Sequence, residues 1–194
     1  MTIPPDLPTT DEEWYRFSTR DGLAVWVRPE QEGDVWYLID LFNHLGPNSR
    51  YLRFSKSMDH PDPERIRAEA ERLSHLGPPQ EIAWLAFADL PDQPDAPVGG
   101  VRYVLTGPDA AELAISVRDD MQRRGIGSAL LLYACQQARQ QGLHYLTAVF
   151  RSENKAIWSL VRHSPFHTTT VINGPEISAR IDLSDYNLTV IGDQ

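Results

Sequence analysis

The sequence predicts a single α/β domain built on a mixed sheet of seven strands flanked by about four helices. Three observations carry that reading. Strand-like and helix-like hydrophobic periods follow one another in the order βααβββαβαββ. Residues 111–150 form a strand–helix–strand unit, which needs a right-handed crossover between parallel strands. The chain has 194 residues, 41% of them hydrophobic, enough for one sizeable core and short for two.

Residues 1–13 are rich in proline, threonine and acid, so they are expected to be a loose arm, with the domain occupying 14–194. Residues 22–28 alternate as a strand. Residues 34–45 put Val35, Leu38, Ile39 and Phe42 on one helical face. A second helix is expected over 63–76, with Pro63 at its start and Gly77 just past its end. Strands follow at 82–88 and 98–105. Pro91, Pro94 and Pro97 between them argue for an exposed hairpin connection, because proline does not suit a sheet interior. Next come a strand at 111–117, a helix at 126–140 closed by Gly142 as its C′ residue, and a strand at 144–150. A helix at 154–163 and strands at 167–172 and 176–183 complete the chain.

Charge and composition narrow the classes of function. A net charge of −9 argues against nucleic acid and anionic membrane surfaces as partners. From Glu112 to Arg162, however, seven basic residues outnumber four acidic ones, so the rest of the chain carries −12. A cationic cradle in an acidic frame suits an anionic cofactor and a cationic second substrate, and a solvated acidic surface would give the same pattern. No apolar run approaches the ~20 residues of a membrane span, and Met1–Asp6 lacks a basic stretch leading into an apolar one. A soluble cytoplasmic protein is expected. Cys135, the only cysteine, falls mid-helix and reads as a small buried thiol. The six histidines are scattered. The one i, i+4 pair, His163 and His167, straddles Pro165 without the glutamate of a zinc helix, so no metal is assigned. No Gly-x-Ser-x-Gly elbow supports a hydrolase triad.

The most informative segment is Gln122-Arg123-Arg124-Gly125-Ile126-Gly127, a turn of cations and glycines between an apolar strand and an apolar helix. Orphan amides at a helix start, reinforced by the helix dipole, favour phosphate, and glycines let a pyrophosphate approach the backbone. A dinucleotide fingerprint would need glycine where Leu130 stands, and a Walker loop would need a lysine that is absent.

These residues resemble the GNAT superfamily of acyl-coenzyme-A-dependent N-acetyltransferases, whose signature is Gln/Arg-x-x-Gly-x-Gly/Ala after a strand. Gln122, Gly125 and Gly127 match it, and Arg124 fills a position that is often arginine or lysine. The resemblance runs from about 22 to 186 and implies a mixed, mostly antiparallel sheet. It also implies that Gln122, Arg123, Arg124, Gly125, Ile126, Gly127 and Ser128 hold the coenzyme A pyrophosphate, with Ser128 adding a hydroxyl. The steps from Glu112 to Val117 extend roughly 16 Å at ~3.3 Å each, long enough for a pantetheine arm. By resemblance the arm pairs with Ile115, Ser116 and Val117, where the next strand splays away. A bulge would supply that opening.

An amine with a pKa near ~10.4 is protonated at neutral pH and must lose a proton before attack. Glu112, on the same strand at the end away from the pyrophosphate, is the candidate base, as in relatives that use a glutamate there; a surface role is the alternative. Asn154 matches an asparagine that contacts the cofactor arm in the family, although helix capping explains it equally. Many members carry a tyrosine general acid where this chain has Val161.

Residues 48–54, Glu112 and residues 153–157 resemble bacterial protein lysine acetyltransferases. Arg50, Arg53 and Lys56 fall where the family shapes the acceptor side, and a solvated loop with packed Tyr51 and Phe54 is the competing reading. The expected activity is acetyl transfer from acetyl-coenzyme A, without a metal, to a primary amine. Protein lysine is the leading acceptor, with a polyamine, amino acid or antibiotic as alternatives. A non-catalytic acyl-coenzyme A sensor is the rival, and a homodimer is compatible with either.

Overall fold

The computed structural model describes residues 14–56, 58, 61–75 and 81–186. The arm expected at 1–13 and the helix-closing Gly77 lie outside the described residues. In chain order the elements are β1 (Tyr15–Ser18), β2 (Ala24–Pro29), α1 (Val35–Asn43), α2 (Pro47–Phe54) and α3 (Pro63–Ser74). Then come β3 (Glu81–Leu90), β4 (Gln93–Leu105), β5 (Ala110–Val117), α4 (Ile126–Gln140) and β6 (Tyr145–Arg151). α5 (Lys155–Arg162), β7 (Phe166–Asn173) and β8 (Glu176–Tyr186) complete the domain. One sheet has the order β1-β2-β3-β4-β5-β6-β8-β7. Every pairing is antiparallel except β5 with β6, the unit for which the sequence required a crossover.

The sheet has eight strands rather than seven, flanked by five helices rather than about four. The additional strand, β1, is only four residues long and pairs along the outside of β2. Its place is secured by Tyr15, whose ring stacks on Tyr133 of α4 with centroids 4.8 Å apart. The additional helix, α2, replaces the loop expected between the early helices. It opens on Pro47 after Gly46 and closes on Ser55 in the left-handed region, φ 54°.

The segment 91–97 departs most from expectation. Residues from Gln93 onward belong to β4, and Pro97 pairs with Phe87. Register shifts at Ala86/Phe87 and Ala88/Leu90, with Asp95 at φ 50°, make this end of the hairpin irregular. Bulges tolerate proline because a ladder position is already lost there.

Two layers cover the sheet. α4 packs on one face, burying Ile126, Leu130, Ala134 and Cys135 against Val101, Tyr103, Leu113 and Leu146. Gly99 makes this fit possible, since a Cβ there would lie 3.0 Å from the Ser116 carbonyl and 3.1 Å from Leu130 Cδ1. Gly142 at φ 83° ends α4, as expected of a C′ glycine. The opposite face carries α1 and α3, with Leu41, Leu85 and Phe87 as a smaller apolar cluster. Among the described residues no helix is long and apolar enough to cross a membrane.

Candidate active site

The turn between β5 and α4 has the backbone that its sequence suggests. Arg123 lies at φ 62° and Gly125 at φ 98°, so left-handed residues alternate just before the helix begins. Such a backbone turns successive N–H groups inward as an anion-binding nest. Among the described residues, the amides of Arg123 to Ser128 donate to no protein acceptor, and helix bonding begins only with Ala129 N–H to the Gly125 carbonyl at 3.1 Å. Gly127 lets the helix start lie close to its surroundings, since a Cβ there would meet Leu160 at 3.4 Å.

The side chains of this turn divide by task. Ile126 is wholly buried in the core, leaving only its amide for a ligand. The Gln122 amide is engaged within the protein, donating to the Val117 carbonyl at 3.3 Å, Asp119 Oδ1 at 3.0 Å and, more weakly, Ser49 Oγ at 3.5 Å. It therefore shapes the loop. Arg124 forms an ion pair with Asp21, whose carboxyl is held below its usual range first by the Thr19 hydroxyl and then by Arg124. Arg123 is exposed and has no ion pair among the described residues, so of the two arginines it is the cation left for a ligand.

The opening beside β5 is present, though not through a bulge. β5 and β6 pair at Ala110↔Tyr145, Ala111↔Leu146 and Glu112↔Thr147, and there the ladder ends although both strands continue. The β4–β5 register is unbroken from Gly99↔Val117 to Leu105↔Ala111, so divergence of the parallel pair alone opens the edge at Ile115, Ser116 and Val117. The bulge expectation is thus corrected.

Glu112 occupies the last rung of that ladder and is exposed. Alternation along β5 places it on the same face as Ala114 and Ser116. Both of those residues line a cavity of about 890 Å³ roofed by the α1–α3 layer. Its wall includes Leu38, Phe42, Phe54, Met58, Ile66 and Trp84, and Gly100 keeps one side of its floor flat.

Acidic and basic side chains both line this cavity. All its acids are engaged. Glu30 pairs with Arg102 at 2.8 Å, Asp62 caps α3 by accepting from Glu64 N–H at 3.0 Å, and Glu69 pairs with Arg72 at 2.6 Å. Arg102, which lines the cavity and organises its acids, is a residue that the sequence reading passes over. It also pairs with Glu81 at 2.5 Å, and burial pushes the Glu30 carboxyl above its usual range despite the nearby guanidinium. A charged residue alternating with inward-packed Val101 and Tyr103 is the signal that marks it. Asp119 is a second residue that the sequence reading passes over, accepting from Gly46 N–H at 2.9 Å and so tying the α1–α2 turn to the segment that leads into the glycine turn.

The model of the Acetyltransferase (GNAT) family matches residues 41–163, more than half of the chain. This chain is a GNAT acetyltransferase. Acetyltransferase PA5475 of Pseudomonas aeruginosa is 27% identical over 144 residues, covering 74% of this chain and 75% of that protein. The GNAT domain of S. lividans PAT superposes with a TM-score of 0.74 at 22% identity, covering 91% of this chain and 99% of that one. Spermidine N-acetyltransferase from Vibrio cholerae, in complex with CoA and spermine, gives a TM-score of 0.63 at 17% identity over 84% of this chain and 97% of that one. Both structural likenesses concern the fold.

Two positions where this GNAT chain raised questions have clear local settings. Asn154 caps α5, its Oδ1 accepting from Ile157 N–H at 3.2 Å. That leaves its amide nitrogen without a partner among the described residues. Val161 is buried with Phe150, Ile177 and Ala179, so the position of the family's tyrosine is filled by packing.

Proposed function

We propose that this chain transfers an acetyl group from acetyl-coenzyme A to the nitrogen of a small primary amine, with Glu112 as the base. The observation that carries the reading is the row of amides from Arg123 to Ser128 that find no acceptor among the described residues, at one end of a strand edge that leads to Glu112 at the other. These amides suit a diphosphate, Arg123 adds a cation, and the edge at Ile115 to Val117 suits an extended pantetheine. Bound acetyl-coenzyme A supplies an acetyl thioester.

Glu112 accepts a proton from the ammonium, the amine nitrogen forms a bond to the acyl carbon as the carbon–sulfur bond breaks, and the second proton the nitrogen sheds on becoming an amide passes through water to the departing thiolate. With Val161 in place of a hydroxyl, the thiolate departs without a tyrosine donor. This is a workable leaving group for a thiol of pKa near ~8.5.

Of the two acceptor classes expected, the cavity beside Ser116 supports a small amine. Its volume lies in the ~300–1,000 Å³ range of small-molecule sites, and helices wall it. A protein lysine is the second reading, favoured by the likeness to the PAT domain. Thiol release measured with acetyl-coenzyme A against pools of small amines and lysine peptides tests both. Amine-dependent thiol with matching acetylated product is expected. Cofactor binding without thiol release from any amine would instead support a sensor.

A further inference from the structure

Arg53, in the last turn of α2, faces the acceptor cavity with no hydrogen-bond or ion-pair partner among the described residues. It lines the cavity, and its Nε is fully buried with no hydrogen-bond partner. It takes part in none of the ion pairs among the described residues. Its guanidinium carbon lies 5.1 Å from the centroid of the Phe54 ring. Glu30 and Glu81 are held by Arg102 instead. Burial, with Arg102 adding like charge, lowers the Arg53 pKa, while Glu112 and Glu81 act in the opposite direction. An arginine remains charged under these conditions.

A guanidinium nitrogen buried without a hydrogen-bond partner is costly to the fold, and a partner supplied by a ligand would offset that cost. The surrounding charge points the same way. Lys56 and Arg65, which also line the cavity, have no ion pair among the described residues, whereas every lining acid is engaged. The uncommitted charge of the cavity is therefore positive in a chain of net charge −9. A guanidinium offers a planar fork that matches a carboxylate.

We infer that the acceptor is an amine that also carries a carboxylate, held by Arg53 while its amino group faces Glu112. This inference rests on the transferase reading. Glu112 shares a face of β5 with Ala114 and Ser116, which line the cavity together with Arg53, and Leu38, Phe42, Phe54 and Ile66 favour an apolar body between the two ends. An amino acid with a large apolar side chain is the simplest molecule of this kind.

Pairs that differ only in the carboxylate test it: L-phenylalanine against phenethylamine, L-leucine against isopentylamine, and L-tryptophan against tryptamine. In the native enzyme, kcat/KM is expected to be about 10- to 100-fold higher for the amino acid of at least one pair, the scale of a charge-assisted hydrogen bond. In Arg53→Met that ratio should fall towards one, with Arg53→Lys between. Calorimetry of the amino acids with coenzyme A present should show binding that Arg53→Met loses.

Equal or better use of the decarboxylated amines by the native enzyme would overturn the inference while leaving the transferase standing. A ratio unchanged in Arg53→Met, or a pH profile shifted equally for both members of a pair, would also overturn it, the latter by assigning Arg53 to the field around Glu112. Arg53-dependent amino acid binding without acetylation of any amine would uphold the anchor and remove the transferase reading.

Discussion

Glu112→Gln is expected to lower kcat at neutral pH by about 100- to 10,000-fold, the range a positioned general base contributes. The reason is the protonation state of the acceptor. Near pH 7 an alkyl amine is almost wholly ammonium, and glutamine keeps the shape of the side chain without being able to take the proton. The deficit should narrow as pH rises towards the amine's own pKa, because solvent then supplies the free amine. Binding of acetyl-coenzyme A should be nearly unaffected, since the amide nest lies at the other end of β5. Stability should also hold, because Glu112 is exposed and has no ion pair among the described residues. Unchanged turnover at neutral pH would remove Glu112 from the mechanism.

Arg102→Met should have the largest effect on stability, about 3–5 kcal/mol, because it leaves two buried carboxylates without their cation. The Arg102 side chain is 13% exposed, and those of Glu30 and Glu81 are 7% and 8%. For a chain of this size the loss corresponds to a Tm lower by on the order of 10 °C. The pH dependence follows from Glu30, which burial already raises. A carboxyl whose folded pKa is raised contributes stability below its unfolded pKa and loses it as pH rises through the folded value. Arg102 opposes that rise, so its removal pushes Glu30 further up and moves the loss to higher pH. The gap in Tm between native and Arg102→Met should therefore shrink from pH 7 to pH 5. Thermal scans at the two pH values test this, and an unchanged Tm or a gap independent of pH would contradict it.

The parts of the site legible in the sequence are those made by local pattern. β5, the glycine turn and α4 follow from an apolar strand, glycines that admit positive φ, and an apolar helix closed by Gly142. The crossover to β6 follows from the same unit. What was hidden depends on partners far along the chain. α2 has no fully buried residue of its own, and its start is tied down by Asp119, 73 positions from Gly46. Prolines that argued against a strand are accommodated where the β3–β4 register shifts. Arg123 and Arg124 are equivalent as letters, and among the described residues only the position of Asp21 separates the unpaired cation from the paired one. Likewise Arg102 and Arg53 share a cavity. Which of them is neutralised follows from how β2, β3 and β4 bring Glu30 and Glu81 together around one guanidinium.

The central claim is that main-chain donors at the start of α4 and the free edge of β5 grip coenzyme A so that its thioester reaches Glu112. Amide hydrogen exchange with and without acetyl-coenzyme A tests it most directly. Protection gained at residues 123–128 and 115–117 is the result this account expects, and saturating cofactor that leaves both segments exchanging as before would contradict it.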